Sequence, residues 1–439
     1  MPTMNSKSLA KQLPLFDAKE STNQLEYGRS GTFIDNMVLP IHRWYRYSAG
    51  FSSQWVEQVL LNWGITSDKL VLDPFAGSGT VPLTCDKLGL PSIAWEAHPV
   101  VARICRTKLL WGTSIEKFSS LTNKILRNAN QIDGDTSNYP SLIQRSYDEA
   151  SLLLLDSLKK AWCEQADGSP ESELAWLSLT AVLRSTSTAG TAQWQYILPN
   201  KTKKKVLPPF LAFQQHVEMI KADMAAFRVA AKISKATLFE CDSRIEASIP
   251  AGQKISAVIT SPPYANNYDY ADALRFEMSF WGDINGWGDI HEKVRRHLVV
   301  SSSQHSSKDR LKLDELLDDT LLTPIKNELT KATRQLAIER ESHGGKKHYH
   351  TMVAAYCRDI ARVLHNIHKI SDKDVRMCWV IGDSAPYGIY CDIDHWIGEL
   401  ALSAGFSSYR FEKLRDRNIK WKNRKHRVPL KEGLLWIEG

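Results

Sequence analysis

The chain has 439 residues, 43% hydrophobic and 24% charged, which excludes a mainly disordered or fibrous protein and implies a core with large insertions or two domains. No apolar run reaches membrane-spanning length and the polar N-terminus lacks a signal-peptide core, so a membrane partner and secretion by that route are both disfavoured. The net charge of +7 is a mild bias, compatible with a polyanionic partner.

Residues 1–30 are rich in Ser, Lys, Gln and Asn and read as a loose tail. Over 51–63 the residues Trp55, Val59, Leu60 and Trp63 recur at helical spacing, with Ser52 or Ser53 as a cap. A short buried strand is expected at 69–73, a Gly-rich turn at 74–80 and a helix at 81–88. A second strand follows at 92–95, closed by Glu96. Strand, turn, helix and strand make one unit of a parallel, doubly wound α/β sheet. From 98 to 234 the pattern is mostly helical, with segments at 147–166, 173–185 and 211–229. The stretch 186–209 between the last two carries Gly190 and the basic run Lys201-Thr-Lys-Lys-Lys205. Strand patterns resume at 236–240, 256–260 and 376–381, and 282–350 is a second, polar interruption. A helix at 395–404 precedes strands at 407–414 and 433–437, which form an antiparallel pair. Their connection, 417–427, holds six Lys or Arg and no acid. The expected organisation is a tail (1–30), a first core part (31–97), a helical insertion (98–235) and a second core part (236–439).

The segment Asp73-Pro-Phe75-Ala-Gly77-Ser-Gly79-Thr80 follows the first strand. Gly77 and Gly79 allow a tight turn and a close ligand approach. A dinucleotide fingerprint needs Gly where Pro82 stands, and a phosphate-binding loop needs a Lys after Gly79 that is absent. Asp73 at the strand end repels a pyrophosphate but attracts an ammonium group, and Glu96 is placed to accept two ribose hydroxyls. A ligand with an amino acid at one end and a nucleoside at the other fits: S-adenosylmethionine.

The second motif, Ser261-Pro262-Pro263-Tyr264, also follows an apolar strand directly. Its prolines remove two N–H donors and fix the backbone, so their carbonyls stand out as rigid acceptors. Ser261 Oγ and the Pro262 carbonyl suit the two hydrogens of an exocyclic amine on a planar base, and Tyr264 offers a flat face for that base.

Together these two motifs resemble the bacterial DNA amino-methyltransferases, which methylate N4 of cytosine or N6 of adenine. The resemblance implies a Rossmann-like, S-adenosylmethionine-dependent fold: a seven-stranded mixed sheet with a reversed C-terminal strand pair and, here, a large mostly helical insertion. The Ser at 261 implies N4 of cytosine. Position by position, the resemblance gives Asp73, Phe75, Gly77 and Gly79 to the methionine part, Glu96 to the ribose and Asp242 to the adenine amine, with Thr80 also counted as cofactor-binding. Residues 42–51 resemble the segment that closes over the methionine end. Duplex DNA is the implied partner, with a companion restriction endonuclease, in the bacterial cytosol at the nucleoid. No further domain follows the last strand pair, so target recognition is expected in 98–235, in 282–350, or in both.

Three basic segments are candidates for phosphate contact: 201–205, 417–427 with Trp421, and 343–350. His343, His348 and His350 lack a Cys or carboxylate at ligand spacing, and none of the seven cysteines forms Cys-x-x-Cys, so no metal site is expected. Residues 266–270 are candidates for the base pocket by adjacency alone, and Asp383 reads as a strand-end cap. No proline is followed by Cys, which removes a C5-cytosine mechanism. Methylation of adenine N6 or of RNA, and a DNA-binding regulator with a vestigial pocket, stay open as alternatives.

Overall fold

A computed structural model describes residues 35–47, 49–192, 196–203, 205–231, 234–245, 249–417 and 428–439. Nine strands are found among them: β1 (Leu70–Asp73), β2 (Ser92–Glu96), β3 (Ala189–Thr191), β4 (Ile197–Thr202), β5 (Ala236–Glu240), β6 (Ile255–Thr260), β7 (Ser371–Gly382), β8 (Ser408–Arg417) and β9 (Leu430–Glu438). Seven form one sheet in the order β5-β2-β1-β6-β7-β9-β8. The pairs β5-β2, β2-β1, β1-β6 and β6-β7 are parallel, and β9 runs antiparallel between β7 and β8. This is the expected mixed sheet with its reversed last strand.

Alternation along the strands sorts side chains onto two faces. Val71, Ala257, Ile259, Cys378 and Val380 point to one face, under the helices Ser53–Asn62 and Thr80–Leu88. Leu70, Leu72, Val258, Met377, Trp379 and Ile381 point to the other, under the helices Tyr349–Ile370 and Ile393–Ala404. Ser52 caps the first helix by accepting the Trp55 N–H, as its sequence position foretells. A third core joins the helices Pro99–Lys108, Ile115–Ala129, Glu149–Cys163, Pro170–Val182 and Pro209–Ala230 to Ile41, Trp44 and Tyr45. The helix Arg275–Trp281, just beyond the Ser-Pro-Pro-Tyr turn, buries Phe276 and Phe280 in that same core. The helical insertion is therefore anchored on the segment that follows the second motif.

Three stretches depart from the sequence reading. Within 186–209, β3 and β4 form a two-stranded antiparallel sheet, with Gly190 opposite Leu198. The interruption at 282–350 is largely helical: Lys326–Ser342 is one helix that buries Leu329, Ala332, Thr333 and Leu336 on a single stripe. The 22-residue helix Tyr349–Ile370 stands where the sequence reading assigned no element. The tail at 1–30, Lys204 of the first basic run and residues 418–427 of the third lie outside the described residues. No described helix is long and apolar enough to cross a membrane, and the cysteines are all free.

Candidate active site at the carboxyl edge of the sheet

The strand order reverses between β1 and β6, and open α/β sheets bind their ligands outside the strand ends at such a point. β1 and β6 are direct neighbours, Val71 opposite Ala257 and Leu72 opposite Val258. The turns that follow them carry the two motifs, which therefore lie side by side. One bond ties them together: Thr260 Oγ1, one residue before Ser261, donates to Asp73 Oδ1 at 2.6 Å.

The loop after β1 bends through Gly77 (φ 53°) and Gly79 (φ 91°), a left-handed conformation open to glycine at little cost. The Gly77 N–H donates to Glu96 Oε2 and the His98 N–H to Glu96 Oε1, each at 2.8 Å. Glu96 thus holds the loop against the end of β2 and keeps further lone pairs for a ligand. Asp73 Oδ1 also accepts the Phe75 N–H at 3.1 Å. Asp73 Oδ2 is buried with no hydrogen-bond partner among the described residues. Burial pushes the Asp73 and Glu96 carboxyls up to about 7, against the hydrogen bonds they accept.

Above the loop lies a cavity. Phe75, Gly77, Thr80, Glu96, Asp242, Ser261 and Pro263 line it, with Tyr47, Ala49, Gly50 and Phe51 from the segment expected to close over the methionine end. Its lining contains Glu96 and Asp242 but no Lys or Arg. Tyr47 lies across Gly77 so closely that a Cβ there would stand 3.0 Å from its ring. Gly79 faces elsewhere: a Cβ at this position would meet Cys105 Sγ at 2.9 Å, so its small size serves helix packing. Asp73 lies beneath the loop, fully buried, rather than in the cavity wall. Asp242 is in the wall, but Arg244 forks onto both its oxygens (Nη2 to Oδ2 2.6 Å, Nε to Oδ1 2.9 Å). Ser243 Oγ donates to the Pro74 carbonyl and so joins the end of β5 to the cofactor loop. An unpartnered buried carboxylate oxygen, a second acid and a wall without Lys or Arg among the described residues suit the ammonium, sulfonium and ribose of S-adenosylmethionine.

At the second motif, the Ser261 hydroxyl donates its proton to the Val380 carbonyl at 3.1 Å. The same hydroxyl interacts with the Tyr264 side chain, and an oxygen that donates to Val380 keeps the capacity to accept an amine N–H. The Tyr264 N–H donates to Tyr270 Oη at 3.3 Å. The loop beyond is pinned by the 282–350 region: Asn267 Oδ1 accepts from Ser303, and Asp269 pairs with buried Arg295 at 2.6 Å. These supports were invisible in the sequence, because they join loops from separate segments.

A second cavity opens past the turn. Asn266, Asn267, Asp383, Tyr387, Arg417, Lys346 and Lys347 are among its walls. Two of the basic segments singled out in the sequence therefore reach it, through 346–347 and through Arg417. The described residues of the run at 201–205 belong to neither wall, and Lys203 Nζ donates to the Arg184 carbonyl. Asp383 caps the end of β7 by accepting the Lys431 N–H at 2.9 Å, in line with the sequence reading. Among the described residues no cluster of His, Cys, Asp or Glu is arranged to hold a metal ion.

The chain is 22% identical over 429 residues to the type II methyltransferase M.BsoBI of Geobacillus stearothermophilus, covering 86% of this chain and 81% of that protein. It is 22% identical over 414 residues to the type II methyltransferases M.AvaI of Nostoc sp. (strain PCC 7120 / SAG 25.82 / UTEX 2576) and of Anabaena variabilis, at the same coverage. The chain is similar to bacterial type II methyltransferases along most of its length. No protein-family model matches it. Among solved structures, the rRNA methyltransferase aviRa from Streptomyces viridochromogenes aligns over 92% of both chains at 9% identity. Its TM-score of 0.32 is too low to bear on the fold, for which the strand order speaks directly.

Proposed function

We propose that this chain is an S-adenosylmethionine-dependent DNA methyltransferase that methylates the exocyclic N4 of cytosine in a specific duplex sequence. The relatives named as type II methyltransferases support the DNA methyltransferase activity and the restriction–modification setting. The observation that carries the N4 reading is the placement of Ser261. It stands at the sheet's switch point, in the wall of the acid-lined cavity, with its proton spent on Val380.

When bound, S-adenosylmethionine supplies an electrophilic methyl group. Phe75, Gly77 and Thr80 hold its methionine end, with the Asp73 carboxylate acting from beneath the loop, and Glu96 holds its ribose. Asp242 meets its adenine amine with the lone pairs that Arg244 leaves. Gly79 contributes through the shape of the loop. Ser261 Oγ and the Pro262 carbonyl accept the two amine hydrogens of a cytosine swung out of the helix, and so draw its nitrogen toward the pyramidal form. Pro263 stiffens the turn, and Tyr264 stacks on the base. A companion endonuclease is proposed on the strength of the relatives' class.

The test is to incubate duplex DNA with the protein and isotopically labelled cofactor, digest to nucleosides and identify the product by mass spectrometry. Labelled N4-methylcytosine is expected. Label found only in N6-methyladenine would overturn the cytosine reading, and label found only in RNA would overturn the polymer.

A further inference from the structure

Arg417, the last residue of β8, reaches across the sheet edge to the Ser-Pro-Pro-Tyr turn. Its guanidinium carbon stands 5.1 Å from the centre of the Tyr264 ring. Its Nη1 donates to the Asp383 carbonyl at 2.7 Å, and its Nε lies 3.7 Å from Glu432 Oε2. Gly382 makes this approach feasible: a Cβ there would stand 2.5 Å from Arg417 Nη1 and 3.1 Å from Tyr264. The side chain is only 14% exposed, and what is exposed lines the second cavity. A flat stack would bring the carbon to about 3.5–4 Å from the ring. At the observed distance the guanidinium is not in flat contact with the ring.

We propose that Arg417 selects the target base, by donating from its cavity-facing edge to the two acceptors that cytosine presents next to its amine. The proposal rests on the methyltransferase reading of the same turn. With the N4 amine on Ser261 and Pro262, the next two polar atoms along the pyrimidine edge are N3 and O2, both acceptors. With adenine N6 in that place, the next positions are N1, an acceptor, and C2–H, which accepts nothing. A guanidinium has only donors, in a planar fork, so it matches the first edge twice and the second once. Asp383, the one acid in the cavity wall, is an acceptor and cannot make these bonds when ionised. Lys346 and Lys347 present single ammonium groups without the fork.

The experiment measures the affinity of the full chain, saturated with S-adenosylhomocysteine, for two duplexes. They carry cytosine or adenine at the methylated position, each opposite an abasic site so that neither has a partner to break. The wild type is expected to favour cytosine by roughly 10- to 100-fold, the worth of one two-pronged base contact. Arg417→Ala is expected to bring the ratio near one by weakening cytosine alone. Arg417→Lys keeps the charge beside Tyr264 without the fork, and is expected to do the same. A wild type without preference overturns the proposal, as does a variant that binds the cofactor normally and keeps the wild-type ratio. If the product nucleoside is N4-methylcytosine while the ratio survives substitution, Arg417 alone is refuted. If no N4-methylcytosine forms, the cytosine reading of the turn falls, and this selector falls with it.

Discussion

Two cavities meet at the Ser261 turn, and their walls carry opposite charge. The first has Glu96 and Asp242 and no Lys or Arg, with Asp73 buried below. The second has Lys346, Lys347 and Arg417 against a single acid, Asp383. On the proposed reading, a cationic methyl donor and a polyanionic acceptor are sorted to different sides before any specific contact forms. The contrast then makes the turn a partition: what Ser261 holds arrives from the basic side and reacts toward the acidic one.

The sharpest way to break this contrast is at the partition itself. Ser261→Ala is expected to lower kcat about 10²–10³-fold, by analogy with loss of one oxyanion-hole donor, while calorimetry shows unchanged cofactor affinity. A matching loss of cofactor binding would place Ser261 in the acidic cavity's function instead. On the acidic side, Gly77→Val forces a branched side chain into a left-handed backbone 3.0 Å from Tyr47. Its cofactor affinity is expected to fall about 10- to 100-fold, and unaltered affinity would refute the pocket.

The acidic cavity also has a pH signature. Burial raises the Asp73 and Glu96 carboxyls to about 7, so below that pH each takes up a proton. A protonated acid must lose that proton before it can balance a cationic ligand. Cofactor affinity is therefore expected to be level above about pH 7 and to fall below it, by up to about tenfold per pH unit for each group. Titration calorimetry across pH 5.5–8.5 (about 5.5 to 8.5, spanning the region where such groups titrate) checks the sign, and tighter binding on acidification would contradict it. On the basic side the effect is smaller. Lys346→Ala and Lys347→Ala should each reduce the slope of log DNA affinity against log salt by about one, with cofactor affinity unmoved. A slope unchanged in the double variant would remove these lysines from the DNA contact.

The acidic side was far more legible in the sequence than the basic one, for a physical reason. Asp73, Gly77 and Glu96 lie within one strand-turn-helix-strand unit, where short apolar runs and glycines mark each boundary. Ser261 likewise follows its strand directly. The stripe Leu329, Ala332, Thr333, Leu336 does have helical spacing, but it is narrow, and the surrounding charge hid it. The helix Tyr349–Ile370 was missed although its apolar face is well marked, because His and Arg residues interrupt the run. Arg417 was legible only as one residue of a basic segment, not as a neighbour of the Ser-Pro-Pro-Tyr turn. Its meeting with Tyr264 depends on β9 running between β7 and β8, and on the missing side chain at Gly382.

The partition is tested most directly by the structure of a ternary complex with S-adenosylhomocysteine and a duplex carrying the methylated site. The expected result is the cofactor in the Glu96 cavity and an extruded cytosine entering past Arg417, its N4 on Ser261 Oγ. The sulfur should then lie within reach of a methyl carbon about 3–3.5 Å from that nitrogen. A base that enters from the Glu96 side, or a cofactor lodged among Lys346, Lys347 and Arg417, would contradict it.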